Sequence, residues 1–321
     1  MSIPILKLAP CVVPRPWGGN RLQTLFGKPC PPGERIGESW ELSDHPEGLS
    51  RVEGGPFEGR LFGDLVRTHP GEMIGVEAAP ARFPLLIKYI DAAEDLSIQV
   101  HPGDAYVERK GLPDRGKTEC WLILDCQPGA EVIYGLREGI DRAALERAVR
   151  EKQVPEVVRR VPISPGTFLF VPPGTVHALL AGTLLCEIQQ SSNITYRLWD
   201  WDRKPSRPLH IEESLEVISY GASGLEPYQL PLSPPSEPGI FRLADNLYFT
   251  VEAVQLGPRQ RLEVPLLGKG TAVNGIWGEC ELENTPVKAG DTLFIPACVP
   301  SVIFATVESN ATLLLSWSNE L

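Results

Sequence analysis

The sequence predicts an all-β protein built from two similar barrels, with a few helices inserted in or packed on the first. Three observations lead there. Thirty-two prolines and 30 glycines punctuate 321 residues, which suits turns between short strands better than long helices. The intervening segments are short apolar runs or alternate apolar with polar residues, as strands do. Finally, Gly166-Thr-Phe-Leu-Phe-Val-Pro172 is matched at the same offsets by Gly290-Asp-Thr-Leu-Phe-Ile-Pro296, so one strand-and-turn unit is used twice. Continued without a gap, that alignment sets His177 opposite Ser301, and the second copy lacks the imidazole of the first.

Near the start, Pro16-Trp17-Gly18-Gly19 and Gly37-Glu38-Ser39-Trp40-Glu41-Leu42-Ser43 each read as a turn followed by a strand, the second alternating Trp40 and Leu42 with polar neighbours. Residues 61–69 predict a short helix with Leu61, Phe62, Leu65 and Val66 on one side and Pro70-Gly71 as its stop. Residues 83–90 read as a buried strand that leads into another at 97–102, where Leu96, Ile98 and Val100 alternate. The clearest helix spans 141–152, with Asp141 as N-cap and Ala144, Leu145, Ala148 and Val149 as its apolar stripe. Strands return at 167–171 and 183–189, and a second helix is expected over 211–220. Periodicity then lapses into Pro, Ser and Gly. The resulting plan is a catalytic barrel with helical insertions over 1–225, a linker over 226–239, and a second β domain without a metal site over 240–321.

Composition narrows the class of function. With 42% hydrophobic residues the chain can bury a sizeable core, and 30 basic against 41 acidic residues give a net charge of −11. No basic run offsets that balance, which argues against nucleic acid or an anionic membrane as partner. No apolar stretch approaches the length that spans a bilayer, and residues 1–19, with prolines at 4, 10, 14 and 16, do not read as a signal peptide. Seven cysteines, odd in number and without a CxxC pair, fit reduced thiols in the cytoplasm.

Two short stretches organise the chemistry: Ser97-Ile98-Gln99-Val100-His101-Pro102 and Pro172-Pro173-Gly174-Thr175-Val176-His177. Gln99 and His101 are two apart and share one face of a strand. Between the stretches, Gly116-Lys117-Thr118-Glu119-Cys120-Trp121 offers a carboxylate just before an apolar run. Two imidazoles, a carboxylate and an amide make an N/O donor set for a divalent metal with open positions. Glu187 sits inside the apolar run Leu184-Leu185-Cys186-Glu187-Ile188, where an unpaired carboxylate is costly, so it must face a site or a cation. Arg197 suits a planar bidentate grip on an anion, or an ion pair with Asp200 or Asp202. Tyr196, Trp199 and Trp201 read equally as a pocket wall or as core, with the same ambiguity for Trp17 and Trp40. His45, His69 and His210 are expected at the surface.

The spacing Gly166-x5-Pro172-x-Gly174-x2-His177 resembles the second cupin motif, with Ala181 where many cupins carry Asn. Taken in order, Pro16-Trp17-Gly18-Gly19, Gly37-Glu38-Ser39-Trp40-Glu41, Ile98-Gln99-Val100-His101-Pro102-Gly103-Asp104, Gly116-Lys117-Thr118-Glu119, Pro173-Gly174-Thr175-Val176-His177-Ala178 and Thr195-Tyr196-Arg197-Leu198-Trp199-Asp200 closely resemble the type I mannose-6-phosphate isomerase family in its short bacterial form. The resemblance runs from about residue 10 to 205 and more weakly to the end.

It implies a jelly-roll fold of two cupin-like barrels, and one zinc ion held by Gln99, His101, Glu119 and His177. It also implies reversible conversion of mannose 6-phosphate to fructose 6-phosphate through a cis-enediol, with Lys117, Glu187 and Arg197 as catalytic residues. Lys117 alone reads as a solvated loop lysine; beside a metal its ammonium pKa is expected to fall. The base is either Lys117 or Glu187. A metal-dependent cupin oxygenase and a non-catalytic sugar-binding protein are the competing readings, and oligomeric state is not legible.

Overall fold

The computed structural model describes residues 3–221, 226–233 and 236–321. Two antiparallel sheets form the first barrel. The larger runs in the order Tyr228–Gln229, Thr167–Val171, Glu119–Cys126, Thr183–Gln190, Leu85–Ala92, Cys11–Gly19 and Ile36–Leu42. The smaller orders Val158–Pro162, Glu131–Leu136, His177–Leu179, Ile98–Val100 and Tyr196–Trp199. Trp17, Ile90, Trp121, Ile123, Val132, Leu179 and Leu185 pack together between the sheets.

The larger sheet is buried on its other face as well. There Leu85, Ile87, Tyr89, Leu122, Cys186 and Ile188 join one core with Phe249, Val251, Ala272, Phe294 and Leu314 of the second barrel. Burial on both faces explains why 85–92 carries apolar residues at successive positions, interrupted by Lys88 and Asp91, rather than a strict alternation. The second barrel has its own core, centred on Val273, Leu293, Val302, Phe304 and Leu313.

Two strands from early in the chain belong to the second barrel's sheet. Leu6–Ala9 pairs with Thr292–Ile295 on one side and with Arg51–Glu53 on the other. The stretch expected as a linker is also partly paired: Tyr228 and Gln229 lie opposite Phe168 and Thr167, and Gly239 already belongs to the strand Gly239–Asp245. Pro234 and Pro235 of that stretch, and residues 222–225 before it, lie outside the described residues.

The repeated heptad forms the same piece of structure twice. Gly166 and Gly290 both adopt φ 88°, a left-handed turn that glycine enters without a Cβ penalty. Each leads into a strand, Thr167–Val171 or Thr292–Ile295, and after the following turn His177 and Ser301 each open the next one.

The expected helices appear at Phe62–Thr68, Arg142–Arg150 and Ile211–Val217. Asp141 caps the second through a 2.8 Å bond from the Ala144 amide to its carboxylate. Pro70 does not simply stop the first helix. It occupies the opening turn of a further helix, Pro70–Ile74, where its missing N–H costs nothing.

Candidate active site

Strand register brings the predicted metal ligands together. His177 lies directly opposite Gln99 across the Ile98–Val100 strand, and Arg197 opposes Gln99 from the other side. His101 follows that strand by one residue, and Glu119 opens the strand Glu119–Cys126 on the facing sheet. The imidazole centroids of His101 and His177 are 4.7 Å apart. Glu119 Oε2 is 3.6 Å from His101 Nε2, and Oε1 is 3.5 Å from His177 Nε2. All three side chains are within 1% of complete burial.

Each ring is held by its other nitrogen: His101 Nδ1 is 2.8 Å from the Ile194 carbonyl and His177 Nδ1 is 2.9 Å from the Thr175 carbonyl. Backbone carbonyls on Nδ1 fix a tautomer that leaves Nε2 as a lone-pair donor toward the centre. Among the described residues, neither oxygen of Glu119 has a hydrogen-bond donor. Lys117 Nζ lies 2.8 Å from Oε2, an ion-pair distance. A wholly buried carboxylate with two unsatisfied oxygens, facing two oriented imidazole nitrogens within 4.8 Å, is the donor arrangement a divalent ion requires. The Gln99 amide borders the same point, its nitrogen 3.2 Å from His177 Nε2 and its oxygen 3.3 Å from Ser97 Oγ. A half-turn of that amide exchanges the two atoms and presents the oxygen.

Electrostatics separate the two buried carboxylates. Burial, opposed by Lys117 and reinforced by Glu187, pushes Glu119 up to about 7. Burial also tends to raise Glu187, but Lys117 and Lys88 outweigh it and hold its pKa below the ordinary value. Both imidazoles are pushed down by burial, His177 to about 4, which keeps them neutral as ligands must be. The lowering of the Lys117 pKa expected beside a bound metal ion is a separate effect from what its protein neighbours do. Burial lowers it, yet Glu119 and Glu187 prevail and raise it, because its neighbours in this chain are carboxylates.

Glu187 faces a cation, as its apolar strand demanded, and the partner is Lys88. Its Oε1 is 3.3 Å from Lys88 Nζ and its Oε2 accepts a 3.1 Å bond from the Trp121 indole. Lys88 also lies 3.9 Å from Glu38 and 4.9 Å from the centre of the Trp40 ring. Glu38 takes bonds from Arg15 (2.8 Å) and the Trp40 indole (2.7 Å). Burial alone raises Glu38, but Lys88 and Arg15 hold it down to about 2.

A cleft of about 270 Å³ adjoins this centre. Its lining includes Gln99, Lys117, Glu187 and Arg197 among the residues predicted from sequence. The charged side chains of the lining are Arg15, Lys88, Lys117, Arg197 and Arg207 against Glu38 and Glu187, five cations to two carboxylates in a chain of net charge −11. Sequence reading gave no role to Lys88, Glu38, Arg15 or Arg207. For Lys88 a signal existed: a lysine between Ile87 and Tyr89 in an apolar strand implies a buried carboxylate partner.

Arg197 is not paired with Asp200 or Asp202; Asp200 instead holds Arg207 at 2.8 Å. Of the aromatic residues, Trp17 and Trp121 line the cleft, whereas Tyr196, Trp199 and Trp201 pack with Ile98, Leu215 and Ile218 in a separate core. His45, expected at the surface, is only 3% exposed. It packs edge-on against Trp40 and lies 3.5 Å from Asp114, so its polar turn context concealed a buried pair.

Fold and site together define a cupin-type β-barrel protein whose buried two-histidine, one-carboxylate donor set opens on a cationic cleft. Residues 5–123 match the family model described as phosphomannose isomerase type I, catalytic domain. The mannose-6-phosphate isomerase of Streptococcus mutans is 35% identical over 320 residues, 95% of each chain. The probable mannose-6-phosphate isomerase GmuF of Bacillus subtilis is 42% identical over 218 residues, 67% of this chain and 68% of its own. The crystal structure of the mannose 6-phosphate isomerase from Bacillus subtilis superposes with a TM-score of 0.86 at 33% identity, covering 98% of this chain and 99% of that one. The chain belongs to the type I mannose-6-phosphate isomerase family.

Proposed function

We propose that this protein interconverts mannose 6-phosphate and fructose 6-phosphate by moving a proton between C2 and C1 through a cis-enediol. One observation carries the reading: an unsatisfied, metal-fitted donor set adjoins a cleft with a surplus of cations. Gln99, His101, Glu119 and His177 would hold one zinc ion, which when bound supplies Lewis-acid stabilisation of negative charge on the sugar oxygens.

The residues divide the remaining work by their charge. Glu187, kept ionised by Lys117 and Lys88, takes the proton from C2 and returns it to C1. Lys117, kept protonated, hydrogen-bonds to the oxygen that gains charge as the enediol forms, and gives or takes the hydroxyl proton that moves from O2 to O1. Arg197 supplies positive charge toward the anionic substrate. Atoms balance, since one proton leaves carbon and one returns, and no electrons enter or leave.

The second barrel is read as a packing partner. The chain's five histidines all precede residue 211, leaving that barrel without an imidazole. Seven unpaired cysteines suit a reducing, cytoplasmic setting. No helix among the described residues is long and apolar enough to cross a membrane.

The test is a coupled assay of fructose 6-phosphate formation on zinc-loaded and chelator-stripped protein. Turnover that vanishes on stripping and returns with zinc is the expected result. Folded, metal-loaded protein without turnover would overturn the reading, and oxygen uptake in its place would select the oxygenase.

A further inference from the structure

We propose that Asp104 and Gln190 are positioning residues of the metal centre, a hydrogen-bonded bridge that fixes the segment carrying Lys117 and Glu119 against the segment carrying His101. The inference rests on the metal-isomerase reading and deepens it by naming what sets the spacing of the ligands. Glu119 poses the question. Among the described residues its carboxylate has no hydrogen-bond donor, so its approach to the imidazoles is set by the backbone that carries it.

That backbone is tied at three successive amides. The Gly116 N–H donates to Asp104 Oδ1 at 2.7 Å, the Lys117 N–H to the Pro102 carbonyl at 2.9 Å and the Thr118 N–H to Gln190 Oε1 at 2.9 Å. The Thr118 carbonyl in turn accepts a 3.0 Å bond from the Gln190 backbone N–H, so both backbone groups of Thr118 are held by one residue. Asp104 and Gln190 also join each other, Gln190 Nε2 donating to Asp104 Oδ2 at 3.1 Å. Asp104 follows His101 by three residues, Thr118 precedes Glu119 by one, and Gln190 follows Glu187 by three. The bridge therefore links the three segments that carry His101, Glu119 and Glu187. Their contact is tight: a Cβ on Gly116 would lie 2.4 Å from the Asp104 backbone nitrogen.

Donor and acceptor chemistry dictates the order of the groups. A carboxylate accepts and a backbone N–H donates, so the group between them must do both, as a primary amide does. Gln190 is wholly buried, and a bond lost there leaves a polar atom without a partner. Asp104→Asn turns an NH2 against the Gln190 NH2, and rotating either amide only moves the clash to the Gly116 or Thr118 N–H. Gln190→Glu sets two carboxylates face to face. In the exchange variant Asp104→Asn/Gln190→Glu the new amide donates to the new carboxylate, and both backbone N–H groups keep an acceptor.

Zinc affinity by competition with a chromophoric chelator, and the visible spectrum of cobalt-substituted protein, test the assignment in the two single variants and the exchange. Each single variant is expected to bind zinc about 10- to 100-fold more weakly, the range for losing groups that orient metal ligands, with an altered cobalt spectrum. The exchange should return the affinity to within about threefold of the wild type and restore the spectrum, the signature of coupling between the two side chains.

Single variants that lose thermal stability yet keep wild-type zinc affinity and cobalt spectrum would overturn the proposal, because a merely structural pair gives that result. An exchange variant that binds zinc no better than the single variants would also overturn it. If a single variant does not fold, the exchange decides: folded with wild-type affinity upholds the bridge, whereas weakened affinity or failure to fold overturns it. The zinc titration needs no turnover, so a wild type that binds zinc through this bridge without isomerising would overturn the proposed function and leave the positioning role standing.

Discussion

At the residue scale the site turns on how three carboxylates with different neighbours acquire different duties. Glu119 has two imidazoles and one lysine beside it and, among the described residues, no hydrogen bond of its own, which suits the ligand role proposed for it. Glu187 is gripped by Lys88 and the Trp121 indole and stays ionised, so it can accept a proton at neutral pH. Replacing it by Gln keeps the shape and the indole bond. Glu187→Gln is expected to lower kcat by about 10²- to 10⁴-fold, the usual contribution of a general base, with zinc content unchanged by atomic absorption. Retained kcat would assign the base elsewhere.

Glu38 gives a pH prediction. Its folded pKa of about 2 lies below its unfolded value, so the stability it confers is present above about pH 4.5 and is lost as pH falls toward 2. Acid unfolding followed by circular dichroism should therefore be less steep over that window in Glu38→Gln than in the wild type, even though the variant starts less stable. Legibility differs among these residues for a physical reason. Gln99, His101, Glu119 and His177 sit in motifs whose spacing mirrors strand register. Lys88 and Glu38 act through partners distant in sequence, 99 residues apart for Lys88 and Glu187, and only the folded sheet reveals that contact.

At the element scale, the two strands that carry Lys88 and Glu38 toward the cleft carry other polar groups toward the second barrel. The Tyr89 hydroxyl donates to the Gly275 carbonyl of the second barrel at 2.9 Å. Glu41, fully buried, accepts bonds from Lys28 at 2.7 Å, Ser39 at 2.6 Å and Thr292 at 2.9 Å, and Lys28 also reaches the Gly290 carbonyl at 2.6 Å. Lys28→Met strands the Glu41 charge in the interior. A loss of about 3–5 kcal/mol in urea unfolding is expected, partly restored in Lys28→Met/Glu41→Leu, where neither charge remains. A loss under about 1 kcal/mol would mean that water reaches Glu41 in solution.

Period, run length and turn residues made most strands and three helices readable. The short strands Leu6–Ala9 and Tyr228–Gln229 were not, because each exists only by pairing with residues far along the chain. Pro70 misled for the opposite reason: the rule that stops a helix also starts one.

At the scale of the whole molecule, a phosphosugar dianion must approach a protein of net charge −11 to enter a cleft lined by five cations. Which field governs the encounter depends on range. At about 0.1 M salt the screening length is about 10 Å, so charges spread over the surface are largely masked while those facing the substrate within the cleft are not. Low-dielectric walls focus the local field further. The cleft should therefore dominate, and kcat/KM for mannose 6-phosphate should fall as sodium chloride rises from about 0.02 to about 0.3 M, with kcat nearly constant. The slope should flatten in Arg207→Gln, which removes one of the charges responsible. A kcat/KM that rises with salt would mean instead that the acidic surface repels the substrate more strongly than the cleft draws it in, and that the cations serve the bound state alone.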